Sequence, residues 1–388
     1  MDADRKLAQL ADAARFDVSC ACGTSSSADH RRRGPDGTWV YPVSVPNGGT
    51  SVMLKTLLSN ACVNECRYCP CRSTRDVRRC TLSPEQVVDA FLSYVRRGEV
   101  HGLFLSSGVT GDPDATMDRI VAVGRILRQK HRYDGYLHLK AIPGASDGAI
   151  EALLSVADTV SLNVEAPTRA AFSRLTSTKD YERDVVRTVR LISRLTARGN
   201  RYENVAQMTQ FVVGAADETD RQLVAATHGL YRRLGLRRVY FSAYQRGEGD
   251  AELPGEHAGP EGAHRLLTRE HRLYQADFLL RKYGFSGDEI PFEQDGNLLL
   301  GTDPKREWAR RHPEFFPVDV KRAARWQLLR VPGLGPVTVS RILGLRREGH
   351  RIRSLRQVGR PGKRLREAAD YLEFAPGARR QSRLLPAV

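Results

Sequence analysis

Cys62-Val63-Asn64-Glu65-Cys66-Arg67-Tyr68-Cys69 sets three thiols, separated by three and then two residues, on one short loop. The run just before it, Val52 to Leu57, is rich in apolar and β-branched residues and reads as a strand, so the loop leaves a strand end directly. Thiols at this spacing can wrap one corner of an iron–sulfur cluster. Three ligands leave one iron of a four-iron cluster open, whereas a closed electron-transfer cluster takes a fourth Cys. An open iron can chelate a substrate or a cofactor. The competing readings are a zinc knuckle and three thiols buried in a core loop.

Outward from this loop, strand and helix patterns alternate. Five more strands are expected at Gly102 to Leu105, Gly135 to Lys140, Thr159 to Val164, Ala206 to Val213 and Arg238 to Ser242. Between them, amphipathic stretches predict helices, the first opening at Ser83-Pro84-Glu85-Gln86 with an N-cap Ser, Pro at the first helical position and Gln at the capping-box position. Others are expected at Thr116 to His131, Asp147 to Val156, Asp180 to Ala197 and Glu218 to Leu234, with a closing helix from Gly262 to Tyr283. Alternation of this kind predicts a parallel sheet with right-handed crossovers, and six units make a partial version of the eight-unit β/α barrel.

A CxxxCxxC loop with an aromatic residue, Tyr68, before its third Cys, placed after the first strand of such a region, resembles the radical S-adenosylmethionine (SAM) superfamily. The resemblance implies a partial (β/α)6 TIM-like barrel, a 4Fe-4S cluster on Cys62, Cys66 and Cys69, and SAM chelating the open iron. An electron from the cluster, supplied by a donor such as flavodoxin or ferredoxin, would cleave the cofactor to a 5′-deoxyadenosyl radical that removes hydrogen from a substrate. It also implies that strand C-terminal ends carry the cofactor contacts. On that basis Tyr68 is a cofactor-binding residue, Ser106, Ser107 and Gly108 fall beside the methionine amino group, and Lys140 is the partner for its carboxylate. Asn163 and Glu165 fall where ribose hydroxyls need acceptors, and Gln210 and Gly214 near the adenine. Each could equally be an ordinary turn or solvated loop residue.

The likeness extends further, to stretches such as His138-Leu139-Lys140-Ala141-Ile142-Pro143-Gly144-Ala145 and His312-Pro313-Glu314-Phe315-Phe316-Pro317. These resemble a subgroup of DNA modification or repair radical SAM proteins with a C-terminal helix-hairpin-helix, linked to a uracil-DNA-glycosylase-like partner. Here a helix is expected from Val318 to near Arg330, then Val331-Pro332-Gly333-Leu334-Gly335-Pro336, then a helix from Val337 to Arg347. Glycines in such a turn let backbone approach a phosphate, and the next helix points its free amides at that anion. Gly333, Leu334, Gly335 and Arg341 are the expected nucleic-acid contacts. A poorer second hairpin is expected at Val358-Gly359-Arg360-Pro361-Gly362, between Ser354 and Leu372. The alternative is a hairpin that only packs.

Charge supports the nucleic-acid reading. Residues 318–388 hold 17 Lys/Arg against 5 Asp/Glu, so +12 of the net +16 lies in this tail. A localised basic domain is an electrostatic footprint for a polyanion, with DNA the expected partner. The expected division is an extension at 1–50, the barrel at 51–300, a linker at 301–317 and a small all-α helix-hairpin-helix domain at 318–388. No apolar run approaches bilayer length and no secretory pattern opens the chain, so a cytoplasmic protein without membrane attachment is expected. All seven cysteines lie in the first 80 residues, which favours metal ligation over a disulfide framework. Cys20, Cys22, Cys71 and Cys80 could hold a second metal or simply be small buried residues. Two other functions remain open at this point: the same radical chemistry on RNA or a small molecule, and a non-catalytic redox sensor that binds nucleic acid.

Overall fold

The computed structural model of the protein describes residues 3–14, 32–33, 39–44, 50–257, 260–360 and 362–374. Its contacts divide the chain into two compact units, Met1–His271 and Arg272–Val388.

The first unit is built on one sheet. Strands β3 (Thr50–Leu57), β4 (Gly102–Ser106), β5 (Tyr136–Lys140), β6 (Thr159–Ser161), β7 (Ala206–Val213) and β8 (Arg238–Ala243) lie in sequence order and pair in parallel, the six strands expected. Gly102 to Ser106 are buried without exception, as a strand covered on both faces must be. The extension at 1–50 adds two more strands, β1 (Arg32–Arg33) and β2 (Trp39–Ser44), with β2 antiparallel to β3 at the sheet edge. Trp39 to Val43 carries the β-branched and aromatic residues of a strand, but Pro42 in its middle reads as a break. An edge strand tolerates it.

Helices follow the strands. They are α2 (Pro84–Arg96), α3 (Pro113–Arg125), α4 (Asp147–Leu154), α5 (Arg169–Leu175), α6 (Arg187–Leu195) and α7 (Asp220–Leu234), after an N-terminal α1 (Ala3–Ala13). Of α2 to α7, all but α6 open on a side-chain cap. Ser83, Asp112, Ser146, Thr168 and Thr219 each accept a first-turn amide, and Ser83 and Thr219 close full capping boxes. Two helices expected as continuous pass through π-helical turns, at Ile126–Lys130 and Tyr181–Val186. Helix α5 was not expected, because seven residues show too little periodicity. Helix α8 (Pro260–Lys282) runs across the point where the units divide.

The second unit differs from the expected division. Segment 301–317 is not a linker: Asp303 caps α9 (Pro304–Arg311), and Trp308 stacks on His312 at 4.2 Å with Phe315 edge-on at 5.2 Å. Prolines at 304, 313 and 317 read as loop punctuation in sequence, while the folded chain uses Pro304 to start a helix. Nor does Val318 open a helix. Val318 and Asp319 form β9, parallel to β10 (Leu372–Glu373), and the Asp319 carboxylate accepts the Lys321 amide at 2.7 Å in an Asx turn. The hairpin follows as α10 (Arg325–Arg330), the turn and α11 (Pro336–Arg347). Leu328, Leu334, Val339 and Ile342 form its core with Ile352 and Val358. The second hairpin is present only in outline, as a 3-10 turn at Leu355–Gln357 and the short α12 (Lys363–Glu367); Pro361 of its turn lies outside the described residues. No helix among the described residues is long and apolar enough to cross a membrane.

Candidate active site at the strand ends

The thiol loop is held by the backbone around it. Val63 N donates to Val109 O at 2.9 Å, Arg67 N to Leu175 O at 2.8 Å and Cys69 N to Cys66 O at 2.9 Å. The loop after β4 presses against it: Gly108 N donates to Ser59 O at 2.7 Å, and a Cβ on Gly108 would stand 2.3 Å from Ala61 O. Glycine is required there by close approach, not by dihedral angle. The thiols are near enough to influence one another. Burial pushes the Cys62 thiol up, two backbone amides at 3.4 Å pull it down, and Cys69 and Cys66 raise it further. Cys69 is raised by its hydrogen bond with Cys71 and then by burial.

Beyond the thiols the strand ends open into a cavity of about 170 Å³. Of the twelve residues that the sequence singled out for cluster and cofactor, eleven line it. Cys62, Cys66, Tyr68 and Cys69 come from the loop, Ser106, Ser107 and Gly108 follow β4, and Lys140 ends β5. Asn163 and Glu165 lie past β6, and Gln210 is on β7. Glu165 is one of two non-glycine residues at positive φ among those described, with φ 64°, and its backbone bonds Gln210 O and Val212 N at 3.0 and 2.9 Å. A left-handed Glu is strained, and such strain concentrates at functional sites. The Glu165 carboxylate meets the Tyr68 hydroxyl, whose proton is held tightly by burial and by that carboxylate. Gly214 stands apart. Its amide is committed to Glu218 at 2.6 Å, and Leu266 fills the space beside it.

Three features escaped the sequence reading. Lys179 lines the cavity; burial pulls its ammonium down, but Cys66, Glu165 and Cys62 outweigh that and hold it protonated. It arrives with Thr176, whose hydroxyl lies 3.8 Å from the Cys66 thiol, on the turn after the unforeseen α5. Arg79 donates to four carbonyls of the thiol loop and its continuation: Asn60 at 2.6 Å, Cys71 at 2.8 Å, Arg72 at 2.6 Å and Arg75 at 2.8 Å. Finally, the segment after β8 folds back over the loop. Arg72 donates to Glu248 O and Gly249 O at 2.7 and 2.9 Å, and Asp250 N to Arg67 O at 2.8 Å. An Arg within a polar run carries no motif, so none of these was legible beforehand.

The site fits a 4Fe-4S cluster with SAM. Asn163 Oδ1 and Gln210 Oε1 are buried without a hydrogen-bond partner, although such atoms are normally satisfied. Both line the cavity, so a polar ligand would supply what they lack. Among the described residues no three His, Cys, Asp or Glu side chains group tightly enough to hold a single ion. A cluster is a different case, because each thiolate reaches its own iron and the thiols stay apart. Cys71 and Cys80 are buried, while Cys20 and Cys22 lie outside the described residues.

A family model described as the Radical SAM superfamily matches residues 56–252. This chain belongs to that superfamily. Membership makes it a radical SAM enzyme, with a 4Fe-4S cluster and SAM as its cofactors. Among solved structures, HydG, a maturase of the FeFe-hydrogenase, is similar at 18% identity over 57% of this chain and 49% of its own, with a TM-score of 0.43. Methylornithine synthase (PylB) is similar at 12% identity over 59% and 61%, with a TM-score of 0.46. The HydG of Carboxydothermus hydrogenoformans is similar at 15% over 82% and 76%, with a TM-score of 0.42. The chain thus spans about half to three fifths of the first two relatives. No curated protein matches the sequence.

In the second unit, Gly333 has φ 81° and Gly335 caps α11, as the turn requires. Leu334 is buried, and its carbonyl accepts Lys305 Nζ at 2.6 Å. Burial pushes Lys305 down to about 7. Arg341 donates to Val358 O at 2.8 Å, so it ties the first hairpin to the second. Val337 stands 77% exposed on the first turn of α11, which leaves that helix end open to a partner.

Proposed function

We propose that this enzyme directs radical hydrogen abstraction at DNA, for modification or repair. The bound cofactors supply a 5′-deoxyadenosyl radical, and the chain's own residues do the placing. Cys62, Cys66 and Cys69 would hold the cluster. Lys140 and Lys179 offer cations to the methionine carboxylate, and Ser106, Ser107 and Gly108 offer polar groups to its amino group. Asn163, Glu165 and Gln210 present acceptors for ribose and base, with Tyr68 fixing the Glu165 carboxylate. The segment tied down by Arg72 shields the loop from water, which radical chemistry requires.

The observation that carries the DNA assignment is the charge of the tail, +12 of the chain's +16, on a unit whose glycine turn opens a helix N-terminus. Backbone contacts of this kind read phosphates, not base edges. A flavodoxin or ferredoxin would deliver the electron, a uracil-DNA-glycosylase-like protein would act on the same DNA, and the cytoplasm would be the setting. The test is anaerobic incubation of reconstituted protein with duplex DNA, SAM and reductant, followed by mass spectrometry of the digested nucleosides. An altered nucleoside formed together with 5′-deoxyadenosine is the expected result. Cofactor cleavage that DNA neither stimulates nor consumes, with every nucleoside unchanged, would overturn the substrate assignment while leaving the enzyme class intact.

A further inference from the structure

Helices α10 and α11 meet at the glycine turn and separate at the other end, where a cleft of about 750 Å³ opens. Six basic residues line it: Lys321, Arg325, Arg346, Arg347, His350 and Arg351; among the described residues no carboxylate does. The Arg346 and Arg347 positions alone would be unremarkable, since cations suit a helix C-terminus. Lys321, Arg325 and Arg351 come from outside that helix and converge on the same space. Two of the arginines are also pre-set by neutral partners: Arg346 donates to Ala323 O at 2.6 Å and Arg325 to Ser340 Oγ at 3.0 Å. Two acids stand close by: Glu348 faces His350 at 3.5 Å on the exposed rim, and the Asp319 carboxylate accepts the Lys321 amide at 2.7 Å. Six basic residues against these two acids leave an excess of like charge that repels itself, so the folded unit carries a cost that an anion would relieve.

We infer that this cleft is a second phosphate-binding site, seating the backbone of duplex DNA at the end of α11 opposite the glycine turn. The inference rests on the DNA reading above. The twelve residues of α11, at about 1.5 Å each, put the far side of the cleft about 18 Å from the turn. Measured along the duplex axis, where each nucleotide of one strand rises about 3.4 Å, that span covers about five nucleotides. A polymer with evenly spaced phosphates engages both ends of the helix at once, which a single small anion cannot.

The experiment is fluorescence anisotropy of a labelled duplex with the full-length reconstituted protein, over a salt series. It compares wild type with Lys321→Gln/Arg347→Gln/Arg351→Gln, three exposed positions, and with Gly333→Val/Gly335→Val. If each of the three cations meets one phosphate, the log–log salt slope should shallow by about 2.7 in the triple variant. Arg347→Gln alone should shallow it by about 0.9, which covers the case of a poorly folded triple variant. Iron content and SAM cleavage should match wild type in both. An unchanged slope and affinity in the cleft variants, with wild type still binding, would overturn the cleft but spare the DNA reading. Wild-type protein with no salt-dependent duplex binding would sink the DNA reading, and the cleft with it. Poly-glutamate bound as tightly as duplex at equal salt, and lost in the triple variant, would reassign the cleft to an acidic protein.

Discussion

Arg79→Met should loosen the cluster without touching a ligand. The substitution keeps the bulk of the side-chain stem and removes a guanidinium that donates to the carbonyls of Asn60, Cys71, Arg72 and Arg75 at 2.6 to 2.8 Å. A hydrogen bond from a charged donor contributes about 1.5–3 kcal/mol. Water can reach the Arg72 and Arg75 carbonyls and offset part of their loss. Asn60 and Cys71 are 4% and 8% exposed, so their carbonyls stay poorly hydrated. Counting those two at the lower figure gives about 3 kcal/mol of loop stability. At 1.4 kcal/mol per tenfold this is about a hundredfold. The assay is iron release to a chelator from anaerobically reconstituted protein, with iron and sulfide per chain measured at the start. Arg79→Met should lose iron about a hundredfold faster. Arg79→Lys should fall between, because an ammonium lacks the planar fork that spans four acceptors. Equal loading and equal release in Arg79→Met would refute the claim that this arginine organises the loop.

The Cys62, Cys66 and Cys69 triple alanine variant should show no cluster absorbance after reconstitution, whereas Cys71→Ala should keep it; a full cluster in the triple variant would remove the central assignment. Lys179→Ala should weaken SAM binding by about 10- to 100-fold in equilibrium dialysis, the range expected for a lost charge-assisted hydrogen bond, and by more than Lys140→Ala does. Equal affinities for wild type and Lys179→Ala would take that lysine out of the site. Lys305 titrates near 7 in the folded chain and near 10.4 when unfolded, so between those values the unfolded state binds the extra proton and stability rises with pH. The melting temperature of wild type minus that of Lys305→Met should therefore increase from about pH 7 to about pH 10; a constant difference would show that the buried ammonium carries no penalty.

The ligand loop was legible because its chemistry is local. Three thiols at fixed spacing after a strand need no tertiary information, and neither do the six strands, whose β-branched runs are bounded by caps and turns. Of the eleven residues that meet in the cavity, four lie on the thiol loop, and the other seven were reached through the family resemblance, which sets cofactor contacts at the C-terminal ends of parallel strands. Gly214, at the same strand end as Gln210, is not among the residues that line the cavity, and a strand end says nothing of which amide a neighbouring Glu218 will take.

Sequence by itself determined the thiol loop, the strand order and the concentration of charge in the tail, all properties of neighbours along the chain. Tertiary structure alone decided what distant segments bring. Lys179 reaches the thiols because a seven-residue helix turns it inward, and Arg79 acts because four carbonyls from separate turns converge on it. The basic cleft exists because Lys321 and Arg351, thirty residues apart in the chain, fold to the open end of one helical hairpin. Charge counted along a sequence adds up wherever its residues stand, but a phosphate is held only where the fold makes those charges meet.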